Sequence, residues 1–109
     1  MGESTIREWL DEAGFGWATG RIIWQAVDAE ECPGWGIPIA SQEINSAHTI
    51  LDESFSSGYG CPECPRFIAE DSNCLYFPEQ YDGATSLAII HKDITHYLNP
   101  ENETPYLGG

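Results

Sequence analysis

The sequence predicts an α+β domain, and three observations predict it: a capping-box signature ahead of an apolar helical stripe at the N-terminus, two apolar arms around a polar turn near 66–77, and helical spacing of apolar residues near 84–98. A small antiparallel sheet that includes the hairpin, with a helix at each end of the chain, accounts for all three. The chain has 109 residues, a length that supports one domain. We assign residues 1–98 to it and 99–109 to a flexible tail, since NPENETPYLGG combines two prolines with two terminal glycines.

Thr5-Ile6-Arg7-Glu8 has the form of a capping box, and Ile6, Trp9, Leu10 and Ala13 then recur on one helical face, so a helix is expected over about 5–13, with Gly14 as its stop. Residues 21–27, RIIWQAV, are β-branched and aromatic; a strand there puts Ile22, Trp24 and Ala26 on one side and Ile23, Gln25 and Val27 on the other. Residues 28–38 have loop composition. Between Ile39 and Phe55 the pattern is mixed, and a short helix capped by Ser46 and carrying Ala47, Ile50 and Leu51 is favoured over a strand. Arg66–Ala69 and Cys74–Phe77 flank Glu70-Asp71-Ser72-Asn73 as a hairpin. After Pro78 and the Asp82-Gly83 turn, Leu87, Ile90, Ile94, Tyr97 and Leu98 follow helical periodicity until Asn99-Pro100.

Hydrophobic residues make up 41% of the chain and aromatics 12%, including four Trp, which is enough to build a core and excludes a disordered acidic tail. Apolar runs such as Leu87-Ala88-Ile89-Ile90 fall far short of the roughly 20 residues that cross a bilayer. The N-terminal segment carries acids and no basic-then-apolar leader pattern, so a cytoplasmic protein with reduced thiols is expected.

Four cysteines and three histidines are the candidate ligands. Cys61-x-x-Cys64 has metal-ligand spacing, and Cys74 on the far hairpin arm can approach it. Cys61, Cys64 and Cys74 are therefore the candidate structural-zinc set, with Cys32, His91 or His96 to complete it. No cofactor is otherwise expected. His91 falls on the apolar stripe of the expected last helix and His96 points elsewhere. No nucleophile–base motif, phosphate loop or spaced metal-binding carboxylates are found, so an enzyme is not expected.

The charge carries the functional reading. Eighteen Asp and Glu face four Lys and Arg, a formal net charge of -14. Direct binding to nucleic acid or an anionic membrane would bring like charges together. Glu8 and Glu12 repel across one helical turn, so local stability does not explain them. Unpaired carboxylates on a folded surface offer what a basic nucleic-acid cleft receives. The candidate partner-binding residues are Glu8, Asp11, Glu12, Asp28, Glu30, Glu31, Glu70 and Asp71, with Trp35 or Tyr59 as aromatic anchors. In length and acidity the whole chain resembles the small DNA-mimic inhibitors of phages and mobile elements, including anti-restriction and anti-CRISPR proteins. That resemblance implies a non-enzymatic protein-binding module whose partner is a basic nucleic-acid-binding protein or complex. Two alternatives stay open: a zinc-stapled adaptor, and a carrier whose Leu107-Gly108-Gly109 tail resembles that of ubiquitin-like modifiers and sulfur carriers.

Overall fold

Thr5 starts the first helix as its sequence predicts. In the computed structural model, which describes residues 3–28, 32–58, 60–81 and 83–105, the Thr5 hydroxyl accepts the Glu8 N–H and the Glu8 carboxylate accepts the Thr5 N–H, each at 3.1 Å. A two-residue strand, β1 (Glu3–Ser4), leads into helix α1 (Ile6–Glu12), whose Ile6 and Leu10 are fully buried. The helix ends because Gly14 takes a φ of 80°, letting its own N–H reach Asp11 O at 3.1 Å and the Phe15 N–H reach Leu10 O at 2.9 Å. Only glycine enters that left-handed region without a Cβ penalty.

The rest is mostly sheet. Strands β2 (Arg21–Val27), β3 (Pro38–Ile44), β5 (Arg66–Glu70), β6 (Cys74–Tyr81) and β7 (Ala84–His91) form an antiparallel sheet in the order β3-β2-β5-β6-β7, while β1 pairs with β4 (Phe55–Ser56) in a two-stranded ribbon. The expected 21–27 strand is present; Ile22 is buried and Ile23 is exposed on the opposite side, while Trp24 to Val27 are half-buried on both sides. The expected hairpin is β5–β6, with Ala69 opposite Tyr76 and Glu70 opposite Leu75. α1, the ribbon and a short 3-10 turn at Thr49–Asp52 cover one face of the sheet. Ile6, Leu10, Phe15, Ile22, Leu51 and Phe67 are among the side chains buried between. Phe15 meets the edges of Trp17 and Tyr76 at ring separations of 4.9 and 5.3 Å, and Trp9 meets Phe55 at 4.9 Å. The radius of gyration, 14.0 Å, is near the roughly 13 Å of a single domain this long. No helix of the described residues is long and apolar enough to cross a membrane.

Two expectations are corrected. The C-terminal helix expected near 84–98 is strand β7 followed by a 3-10 turn, Ile94–Leu98, started by Asp93, whose carboxylate accepts the Thr95 N–H. Tyr81 and Ala84 face each other across a two-residue connection, and Gly83 sits at φ 83°, so the chain folds straight back and pairs with β6 from Tyr81 to Cys74. Pro78 does not end β6 either. It pairs with Leu87 beyond the stretch where β5 matches β6, so the missing N–H removes nothing from that neighbour. Second, Pro38–Ile44 is a strand on the sheet edge, and the helix expected through Ala47, Ile50 and Leu51 is reduced to the turn at Thr49–Asp52. Asn99 and Asn102 tie the start of the expected tail back, through Glu101 N–H and His96 O.

Candidate functional site

The cysteines do not assemble as the metal spacing predicts. Cys61 is bonded to Cys32, with Cα atoms 5.7 Å apart, joining the segment before β3 to the one before β5. Cys64 and Cys74 are free and buried. The Cys64 thiol, its pKa pushed up by burial so that it stays protonated, donates to Pro65 O. The expectation of reduced thiols holds for these two and fails for the bridged pair. Among the described residues no group of three or more His, Cys, Asp and Glu is placed to hold a metal ion. His91 and His96, expected to point apart, stack face to face with ring centroids 3.5 Å apart, and Tyr97 sets its edge on both.

Six of the eight candidate partner-binding acids lie in the described residues, and most also serve the fold. Glu8 closes the capping box. Asp11 accepts the Trp17 indole N–H at 2.7 Å, and Asp28 accepts the Ile37 N–H at 2.8 Å. Glu70 lies 3.2 Å from Lys92 Nζ and 3.7 Å from Arg21. Asp71 is buried and accepts four donors. Burial alone would raise its pKa, but the Gly16 N–H, the Tyr76 hydroxyl and the Asn73 and Cys74 N–H groups bring it down to about 2. Glu12 is exposed, and no hydrogen bond or ion pair among the described residues reaches it. Glu30 and Glu31 lie outside the described residues, as do Tyr59 and the diglycine; Trp35 is 68% exposed.

These acids do not share one face. The Gly16–Asp71 bond brings the end of α1, with Asp11 and Glu12, beside the β5–β6 turn. Asp28 follows the other end of β2, about 20 Å along the strand from Arg21.

All four basic side chains are held by the fold. Arg7 forms a two-pronged pair with Asp52, at 2.6 and 3.1 Å, and also donates to Ser46 O. Arg21 grips Glu43 in the same way at 2.9 and 3.1 Å. Arg66 donates to the carbonyls of Pro33 and Gly34, and Lys92 to Glu70 and Asp71 O. Asp52 and Glu43 are held below the usual carboxylate range by hydrogen bonds from their arginines.

A cleft of about 710 Å³ lies at the end of the β2–β5 ladder. Pairing between these strands stops at Gln25 and Arg66, so Ala26 and Val27 continue beside β3 alone and a gap opens next to Pro65. Proline has no N–H with which to extend the ladder. Trp24, Ile50 and Phe55 give the cleft apolar walls, Pro33 and Cys61 close one side, and Glu53 and Glu63 add carboxylates. Both glutamates are exposed, and none of the four Lys and Arg lines the cleft. Sequence reading missed this site. Glu63 was visible only as filler between two cysteines, and Glu53 as one acid in a segment of mixed pattern.

No protein-family model, curated protein or solved structure matches this chain.

Proposed function

We propose that this chain is a non-enzymatic binding module whose partner is a basic nucleic-acid-binding protein, with carboxylates standing where that partner would receive phosphates. The observation that carries the reading is the fate of the cations. In a chain of net charge -14, each of the four positive side chains is engaged by the chain's own carboxylates or carbonyls, Arg21 while still 61% exposed, so the surface presents carboxylates with no unpaired Lys or Arg among them. Such a field steers a cationic surface inward and repels nucleic acid itself. Glu8, Asp11 and Glu12, all exposed on α1 at the i, i+3 and i+4 spacing of one helical face, are the acids best placed to act together. The Cys32–Cys61 bridge favours an oxidising setting over the reducing cytoplasm expected from sequence.

The test has two stages. Proteins from the native host are captured at low salt and released by raising it, and each recovered protein is identified and bound to duplex DNA. This chain should displace the DNA, and the triple reversal E8K/D11K/E12K, with its fold verified by an unchanged circular dichroism spectrum because Glu8 and Asp11 also bond within the chain, should displace it much less. The single reversal E12K, at an acid that no hydrogen bond or ion pair among the described residues reaches, should weaken displacement in the same direction. Partners indifferent to ionic strength, or no displacement of DNA, overturn the proposal.

A further inference from the structure

We infer that the cleft beside Trp24 is a binding site for an arginine side chain carried on an extended segment of the basic partner. The inference rests on the basic-partner reading and gives it a location.

The chemistry of the walls selects the ligand. A purely apolar cleft would take an apolar side chain and a purely acidic one would take any cation, but this one combines an indole and apolar carbons with two exposed carboxylates. Guanidinium fits both parts. It is planar and weakly hydrated, stacks on aromatic faces, and offers paired donors to carboxylates, whereas the ammonium of lysine is compact and strongly hydrated. The methylene stem of arginine would lie against Ile50 and Phe55 while its head reaches Glu53 or Glu63. No Lys or Arg lines the cleft, and among the described residues no ion pair reaches Glu53 or Glu63; the nearest neighbour of the Glu63 carboxylate among the described hydrogen bonds is the Ser56 N–H, at 3.4 Å.

Size and position point to a segment and not a free amine. A volume of about 710 Å³ exceeds one side chain and leaves room for apolar neighbours on either side of the arginine. The cleft also lies where the β2–β5 ladder has ended, next to strand backbone that an extended chain can follow.

The test uses the full chain with its disulfide intact and two capped tripeptides, leucyl-arginyl-leucine amide and the same peptide with citrulline, which keeps the shape and removes the charge. Binding is followed by nitrogen–proton NMR shifts, read at the Trp24 indole, and by titration calorimetry. The arginine peptide should shift Trp24 and bind at least about tenfold more tightly than the citrulline peptide. The double variant E53Q/E63Q should lose that preference while E101Q/E103Q keeps it. Glutamine can still accept the Ser56 N–H, and an unchanged NMR spectrum away from the cleft verifies the fold. Equal binding of the two peptides, unchanged affinity in E53Q/E63Q, or wild-type shifts that avoid Trp24 each overturn the inference. If DNA displacement succeeds while these fail, only the cleft assignment falls; if the arginine preference holds while displacement fails, the cleft stands and its nucleic-acid-binding partner is rejected.

Discussion

The carboxylate of Asp71 accepts the phenolic hydrogen of Tyr76 at 2.7 Å, between two side chains that are 6% and 2% exposed. The same carboxylate takes the Gly16, Asn73 and Cys74 N–H groups at 2.8–2.9 Å, so one buried anion closes the β5–β6 turn and ties it to the loop after α1. Sequence marked Asp71 as a surface acid for a partner; geometry makes it the chain's internal fastener. Asp71→Asn puts an NH2 group where a carboxylate oxygen meets donors. It should cost about 2–3 kcal/mol. For a domain of this length that lowers Tm by about 10 °C or more, read by thermal circular dichroism. A loss under 0.5 kcal/mol, the level of ordinary surface changes, would show that the network carries no weight.

The same residue sets an acid limit. Its folded pKa, about 2, lies below the ordinary 3.8, so folding favours the ionised form. The resulting stability is complete above the ordinary value and is lost as pH falls from there through about 2. It amounts to about 2 kcal/mol. Glu43 and Asp52, depressed by their arginines, act in the same direction. Urea midpoints at several pH values between 6 and 2 should therefore fall more steeply for the wild type than for Asp71→Asn. Parallel curves would place the acid sensitivity elsewhere.

How much of this was legible varies with how local the cause is. The capping box at Thr5 and Glu8, the Gly14 stop and the β5–β6 arms are short-range patterns, and each has its predicted form. The last helix failed because Leu87, Ile90, Ile94 and Tyr97 satisfy helical spacing by coincidence. Leu87 and Ile90 lie on opposite faces of β7, Leu87 opposite Pro78 and Ile90 opposite Leu75, while Ile94 and Tyr97 belong to the next turn. Asp82-Gly83 between apolar arms was the better signal, since an Asp-Gly pair suits a two-residue hairpin connection. The Cys32–Cys61 pairing, the His91–His96 stack and the cleft join residues far apart in sequence, and no local pattern encodes them.

The disulfide closes a loop between positions 29 residues apart. Chain-entropy reasoning assigns such a closure about 3–4 kcal/mol through the unfolded state. Reduction with a phosphine, or C32S/C61S, should lower the urea midpoint accordingly. It should also weaken arginine-peptide binding, because Pro33 and Cys61 form one side of the cleft. Unchanged stability after complete reduction, verified by thiol mass labelling, would contradict the bridge's role.

Gly20 is required by space. A Cβ there would land on the Phe15 ring, 2.7 Å from Cε2, and 2.8 Å from the Gly16 carbonyl. Phe15 is itself packed against Tyr76 and Trp17, so it has little freedom to yield. Gly20→Ala should cost about 1–3 kcal/mol by overpacking. Gly14→Ala meets open space and pays only for its positive φ, about 1 kcal/mol. Chemical denaturation of the two variants should rank them in that order, and the reverse order would mean that the Phe15 ring moves freely.

Thr85 offers a change of the opposite sign. Its side chain is buried on β7 at 6% exposure, and its hydroxyl has no hydrogen-bond partner among the described residues, although its backbone N–H is satisfied by Ser57 O. Valine keeps the shape and the strand preference while removing a buried polar group that gains nothing from burial. Thr85→Val should therefore raise stability by about 1 kcal/mol, seen as a higher urea midpoint at constant slope. Thr85→Ala separates the two contributions, since it removes the hydroxyl and the methyl together and should fall below valine by the cost of the small cavity. If valine proves less stable than threonine, the hydroxyl is bonded in solution, and the end of β7 is held by a polar contact and not by packing alone.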